Sequence, residues 1–275
     1  YSYIKPSIRR VLGYLDLALM QTNADASRIM AMGLRASKVR VTGNLKFDHS
    51  VEASESRLSD ELRLRFDIIS EAPLILAAST HEPEEEWIIA AFKEVWKDSG
   101  GHLPRLMIAP RHPDRFDHVA EIARRSGFAL ARRSGAQSPD DTTAEILLLD
   151  TIGELRCAYP LAEIVFVGGS LIPHGGQSVF EPAAAGKAMI TGPYTANFRE
   201  AVEGFIASDA LVQLPQMIEA DVVTRLTHAF RNLLEDQSRR EELGRNARKF
   251  ADSGRGAAER SVEYLSPLLP AKHAQ

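Results

Sequence analysis

Two pairs of glycines bracket a short bend in the run Gly168-Gly169-Ser170-Leu171-Ile172-Pro173-His174-Gly175-Gly176-Gln177-Ser178-Val179-Phe180-Glu181-Pro182. The apolar strand Ile164-Val165-Phe166-Val167 precedes the bend, and a helix is predicted to open at about Ser178. A strand that enters a Gly-rich turn and then a helix N-terminus is an anion site. Glycine lets the backbone approach a phosphate, and the first helical N–H groups point at it. Glu181 falls one turn inside that helix. A carboxylate there cannot bind phosphate, but it can accept hydrogen bonds from ribose hydroxyls. The pattern therefore points to a nucleotide held by phosphate and sugar; the alternative is a structural turn with capping glycines.

Other polar residues recur at the ends of apolar runs. Arg111 follows Pro110 just past a strand, where a guanidinium can clamp a phosphate through two hydrogen bonds. Its alternative is an ion pair with Glu84, Glu85 or Glu86, a run that itself reads as a solvated helix face. Gly153 is expected to open a helix, so that its N–H and that of Glu154 can contact a phosphate or a base, with Ile152 beside them. Glu154 could equally be a solvated first-turn carboxylate. His112 reads as a loop-packing residue or a ligand, and His81 as a helix-start residue. His174, in the glycine bend, reads as either functional or simply exposed. Lys46, in Gly43-Asn44-Leu45-Lys46-Phe47-Asp48, sits in a crossover where positive charge can stabilise a leaving phosphate. Asn197-Phe198 after Gly192-Pro193 reads, in isolation, as an ordinary helix start.

The elements that position these residues alternate. Strands are predicted at 17–20, 39–42, 74–78, 105–109, 128–131, 145–149, 164–168, 188–191 and 211–213, and helices at 23–33, 83–98, 114–126, 153–162, 178–186, 196–207, 219–236 and 238–265. Strands separated by helices of about 10–15 residues imply βαβ units and a doubly wound parallel sheet, with ligands beyond the C-terminal strand ends. Ser79-Thr80-His81, Pro110-Arg111-His112, Thr151 to Glu154, Gly168-Gly169 and Gly192-Pro193 all fall on that rim. No GxGxxG follows the first strand, which counts against a dinucleotide cofactor.

Composition narrows the classes. The chain has 275 residues, 44% of them hydrophobic, enough for a real core. Its 33 basic and 37 acidic residues argue against a general nucleic-acid binder. A single cysteine, Cys157, excludes an internal disulfide, fits a reducing compartment and reads as a small core residue. No CxxC or HExxH pattern supports a metal, and no apolar run reaches the ~18 residues of a membrane span. The chain opens Tyr-Ser-Tyr-Ile-Lys-Pro without Met, and is expected to be part of a longer protein whose N-terminal portion is missing.

Taken together, the sequence resembles the Kdo (3-deoxy-D-manno-octulosonic acid) transferases of bacterial lipopolysaccharide synthesis. The matching segments are VTGNLKFD at 41–48, AASTHEPEEE at 77–86, APRHPDRFD at 109–117, LLLDTIGEL at 147–155, FVGGSLIPHGGQ at 166–177, EPAAAGKAMITGP at 181–193 and NFRE at 197–200. The resemblance implies a GT-B-type α/β glycosyltransferase with Rossmann-like halves and its first domain largely missing. Residues 1–48 would end the acceptor-side domain, 49–72 form a linker, 73–265 the nucleotide-sugar domain and 266–275 a tail; the charged stretch 45–72 reads as a linker with a helix in it.

It further implies inverting, metal-independent transfer of Kdo from CMP-Kdo to a lipid A precursor, without a cofactor, at the cytoplasmic face of the inner membrane. The missing domain would contact that membrane. Pro110, Arg111, Ile152, Gly153, Glu154 and Ser178 to Glu181 (Ser178, Val179, Phe180, Glu181) correspond to CMP-holding positions, and Lys46 to a residue that stabilises the transition state. Ser79, Gly169, Gly176 and Asn197 are secondary candidates. Two departures stand out. Gln177-Ser178-Val179 replaces the family's usual Asn-Pro-containing triplet, and the family's general base, a Glu in a Gly-rich segment of the first domain, has no counterpart in 1–275. A non-catalytic sugar-nucleotide-binding fragment and a UDP-sugar epimerase are the competing readings.

Overall fold

Seven parallel strands build one sheet in the computed structural model, which describes residues 5–45, 48, 53–68, 72–98 and 103–269. The chain divides into two units. One comprises 1–50 and 251–275, the other 51–250.

In the first unit, strands β1 (Ala18–Met20) and β2 (Val39–Val41) pair in parallel, with α1 (Lys5–Leu12) and α2 (Asn23–Ala31) alongside in the chain. Ala18, Ala26, Leu34 and Val39 form its small core. The C-terminal helix α11 (Ala257–Leu265) belongs to this unit, and its Arg260 Nε donates to the Thr42 carbonyl at 2.9 Å.

The larger unit opens with α3 (Ala53–Phe66). This helix lies in the segment expected to be a linker, yet Leu62 and Phe66 are fully buried and the Arg65 Nε donates to Asp141 at 2.9 Å. Apolar residues at helical spacing, hidden among its charges, anchor it to the body of the unit. The sheet then forms from β3 (Leu74–Thr80), β4 (Arg105–Pro110), β5 (Leu130–Arg132), β6 (Ile146–Leu148), β7 (Ile164–Val167), β8 (Ala188–Thr191) and β9 (Val212–Gln213) in the order β5-β6-β4-β3-β7-β8-β9. The central strands β3, β4, β7 and β8 are buried almost throughout, which is why they read as continuous apolar runs.

Helices α4 (Glu84–Asp98), α5 (Phe116–Arg125), α6 (Leu155–Ala158), α7 (Phe180–Ala184), α8 (Arg199–Ala207), α9 (Glu219–Glu235) and α10 (Gln237–Ser253) connect and cover the strands. Cys157 is buried, as expected of a core residue. The single helix expected over 238–265 is instead α10 and α11, broken at Gly254-Arg255-Gly256. Gly256 has φ +85°, a left-handed conformation that an α-helix cannot contain. Because all seven strands are parallel, their C-terminal ends share one edge of the sheet, and the candidate residues of this unit gather there.

Candidate functional site

The glycine turn after β7 is an anion nest, and the protein fills it itself. Glu84, at the start of α4, is fully buried. Its carboxylate accepts the backbone N–H groups of Gly169 at 2.7 Å, Leu171 at 2.9 Å and Ser170 and His81 at 3.0 Å each. Burial pushes the Glu84 pKa up to about 7 against those four donors. The Gly176 N–H in turn donates to the Gly169 carbonyl at 2.8 Å. The first glycine pair therefore does not cradle a phosphate, because the Gly169 N–H already serves a carboxylate and the Gly168 N–H donates to the Ala78 carbonyl at 2.8 Å.

Gly168 is needed for a different reason. A Cβ there would stand 2.4 Å from the Ser79 carbonyl oxygen, so β3 and β7 could not close. Ser79 itself has φ +54° at this crossing. Nor is the acidic run a solvated face. Only Glu86 is exposed, while the buried Glu85 accepts from the Thr80 hydroxyl at 3.0 Å and pairs with Arg115 at 3.0 Å.

Arg115, which also reaches Glu82, makes the ion pair that was the alternative for Arg111. Arg111 is exposed, and its side chain has no partner among the described residues. Its backbone N–H donates to the Thr80 carbonyl at 3.0 Å, which fixes it beside the end of β3, and Pro110 before it is buried. Three histidines meet next to it. The His81 ring lies 4.1 Å from that of His174 and 5.3 Å from that of His112. His81 is buried, its Nδ1 is 3.1 Å from the Ser79 carbonyl, and its Nε2 has no partner. A carbonyl only accepts, so Nδ1 carries the proton and Nε2 is an open acceptor. Burial pushes its pKa down to about 4, and His174, His112 and Arg111 act in the same direction.

Past β6, the chain turns through Thr151, Ile152 and Gly153, whose φ is +88°. The helix expected from Gly153 begins only at Leu155 and lasts one turn, because Glu154 is its cap. The Glu154 carboxylate is not solvated: Arg133 donates to it from Nε and Nη2 at 2.9 Å each, Thr151 donates as well, and the Arg133 contact holds its pKa below the usual range. Ile152 projects into solvent with 81% of its surface exposed, and the place a Gly153 side chain would occupy is open. Both are free for a flat ligand to cover.

At the other side of the rim the helix begins at Phe180, two residues later than expected. Val179 and Phe180 are core side chains that can offer only backbone to a ligand. Ser178 donates its hydroxyl to Glu181, and the Phe180 N–H reaches the Ser178 hydroxyl at 3.4 Å. Glu181 is half-buried and stands on the rim as an acceptor already used to hydroxyl donors.

Of the second glycine pair, Gly175 packs on Asn197 and Gly176 faces the backbone of Tyr194 and Thr195. Asn197 Nδ2 donates to the His174 carbonyl at 3.1 Å, and its backbone N–H donates to the Gly175 carbonyl at 2.9 Å. These residues wall a cleft of about 630 Å³ past β8. Lys46 lies outside the described residues. Among those described, no group of three His, Cys, Asp or Glu is placed to hold a metal ion. Glu84, Arg115 and Arg133 were not singled out as structural keystones of the site. Glu84 and Glu85 carry a signal only in hindsight, as carboxylates in the first turn after a strand that ends on the rim.

Comparison with known proteins supplies the rest. Residues 1–49 match the family described as 3-deoxy-D-manno-octulosonic-acid transferase (kdotransferase). A 3-deoxy-D-manno-octulosonic acid transferase of Haemophilus influenzae is 32% identical over 98% of this chain and 61% of its own length. That of Bordetella pertussis is 33% identical over 97% and 60%. The chain thus spans about three-fifths of these relatives. The crystal structure of the C-terminal CMP-Kdo binding domain of WaaA from Acinetobacter baumannii is 28% identical, with TM-score 0.64, covering 72% of this chain and 98% of that one. The fold is the Rossmann-like α/β fold of GT-B glycosyltransferases.

Proposed function

We propose that this chain, a relative of the Kdo transferases along nearly its whole length, is the donor-holding portion of such an enzyme. The enzyme would move Kdo from CMP-Kdo to a lipid A precursor in lipopolysaccharide synthesis. The observation that carries this reading is Arg111: an exposed guanidinium at the end of a central strand, without a partner among the described residues, in a chain alike to a CMP-Kdo binding domain. In this reading Arg111 clamps the donor phosphate. The bend from Ile152 to Glu154 lies under the base. Ser178 and Glu181 take the ribose hydroxyls, exchanging their mutual hydrogen bond for two to the sugar. Lys46 stabilises the departing phosphate.

Transfer inverts the anomeric centre and uses no metal. The acceptor hydroxyl needs a base within hydrogen-bond reach. Glu84 has a raised pKa, but it is sealed from solvent and its oxygens are taken by backbone N–H groups of His81 and of the turn after β7, so it is not that base. By the resemblance the base lies in the first domain, as does the surface facing the inner membrane. Residues 1–275 then bind CMP yet fail to transfer Kdo. Calorimetry with CMP and a transfer assay with CMP-Kdo and a lipid A precursor test both halves of this statement. Robust transfer by residues 1–275 would place a base inside this chain and overturn the division of labour.

A further inference from the structure

The cleft past β8 has no assigned role, yet its lining is chemically specific. Its walls are His174, Gly175, Tyr194, Asn197, Arg199 and Glu203, with others. The walls are fixed. Asn197 is bonded to the His174 and Gly175 carbonyls, and a Cβ on Gly175 would stand 2.6 Å from the Asn197 amide. The Tyr194 hydroxyl accepts from Gln216 at 2.7 Å and keeps its own proton to donate. Arg199 is exposed and has no ion-pair partner among the described residues, Glu203 one helical turn on included. It is also the first residue of α8, the end of a helix where a cation is least favourable. Neither packing nor the helix explains a cation there.

His174 links the cleft to the histidine cluster beside Arg111. His174 lines the cleft, its ring stacks on His81 at 4.1 Å, and the Arg111 N–H is bonded to the Thr80 carbonyl next to His81. We propose that this cleft holds the acidic, polyhydroxylated sugar of the donor, with Arg199 taking its carboxylate and Tyr194 and Glu203 its hydroxyls. This rests on the donor reading above. A sugar acid linked to a nucleotide phosphate carries a second anion beside the phosphate, and Arg199 offers a cation for it at the start of the helix that follows β8, on the same rim.

The test is calorimetric titration of residues 1–275 and of the Arg199→Gln and Arg199→Lys variants with CMP and with CMP-Kdo. Arg199 is exposed, and thermal melts check that both variants fold. Arg199→Gln is expected to weaken CMP-Kdo by roughly ten- to a hundredfold, the range for a hydrogen bond to a charged group. CMP should change by less than about twofold, and Arg199→Lys should recover part of the loss. Equal losses for both ligands, or an unchanged CMP-Kdo affinity beside intact CMP binding, would overturn this inference alone. Failure of the unmodified chain to bind CMP would overturn the donor reading and this inference with it.

Discussion

The Glu84 carboxylate meets the Gly169 backbone N–H at 2.7 Å across 85 residues of sequence. That contact joins the first turn of α4 to the turn after β7, and the same carboxylate extends to Ser170, Leu171 and His81. A turn that would otherwise bind an external anion is thereby made part of the scaffold, and in the proposed reading the nucleotide falls to Arg111 and the outer loops.

Glu84→Gln should therefore destabilise the chain by about 1–3 kcal/mol, since an amide NH₂ would face N–H donors that lose their acceptor. Urea midpoints measure this. An unchanged midpoint would show that the turn holds itself without the carboxylate.

Glu84 and His81 should pull stability in opposite directions with pH. Burial holds the Glu84 pKa at about 7 against its four N–H donors, so ionising the buried group costs stability as pH rises from the ordinary carboxylate range. Its contribution is complete below the ordinary carboxylate range and is lost as pH rises through 7. His81, lowered to about 4, does the reverse: its contribution is present above its ordinary value of 6.5 and lost as pH falls toward 4. Removing the imidazole should leave the Glu84 slope alone. His81→Gln should then gain about 1–2 kcal/mol relative to the unmodified chain between pH 7 and pH 5. Urea unfolding at the two pH values decides it, and a difference independent of pH would mean that His81 titrates normally.

Much of this arrangement was legible in the sequence for physical reasons. Parallel strands buried on both faces read as apolar runs, so β3 to β9 emerged at their positions. The rim emerged because polarity changes abruptly where those strands end, as at Ala109-Pro110-Arg111. What was hidden depends on contacts distant in sequence. Glu84 and Glu85 look like solvent charges until Gly169 and Arg115 are brought to them. Arg111 and Arg115 are equivalent in sequence, and only the structure shows which of them is spent on Glu85. The break at Gly254 to Gly256 was masked because helical periodicity continues across it. The late start of α7 followed from Ser178 turning its hydroxyl to Glu181 rather than entering the helix.

Arg111→Ala should weaken CMP binding by about 1.5–3 kcal/mol, the value of a charge-assisted hydrogen bond. It is exposed and its side chain has no partner among the described residues, so stability should hardly change. Calorimetry beside a thermal melt separates the two, and undiminished CMP affinity would remove Arg111 from the site.

Glu181→Gln should reduce affinity for CMP more than for its 2′,3′-dideoxy analogue, because only the former presents hydroxyls to the carboxylate. Competition titration of both ligands measures the gap. Equal losses would make the Glu181 carboxylate structural.

The central claim is that the C-terminal edge of this sheet holds the cytidine nucleotide of an acidic sugar donor. Calorimetric titration of residues 1–275 with CMP and, in parallel, with UDP tests it most directly. The account predicts one saturable CMP site and a UDP affinity at least about tenfold lower, a difference of about 1.4 kcal/mol. UDP binding as tightly as CMP, or no CMP binding at all, would contradict it, and the former would favour the epimerase reading.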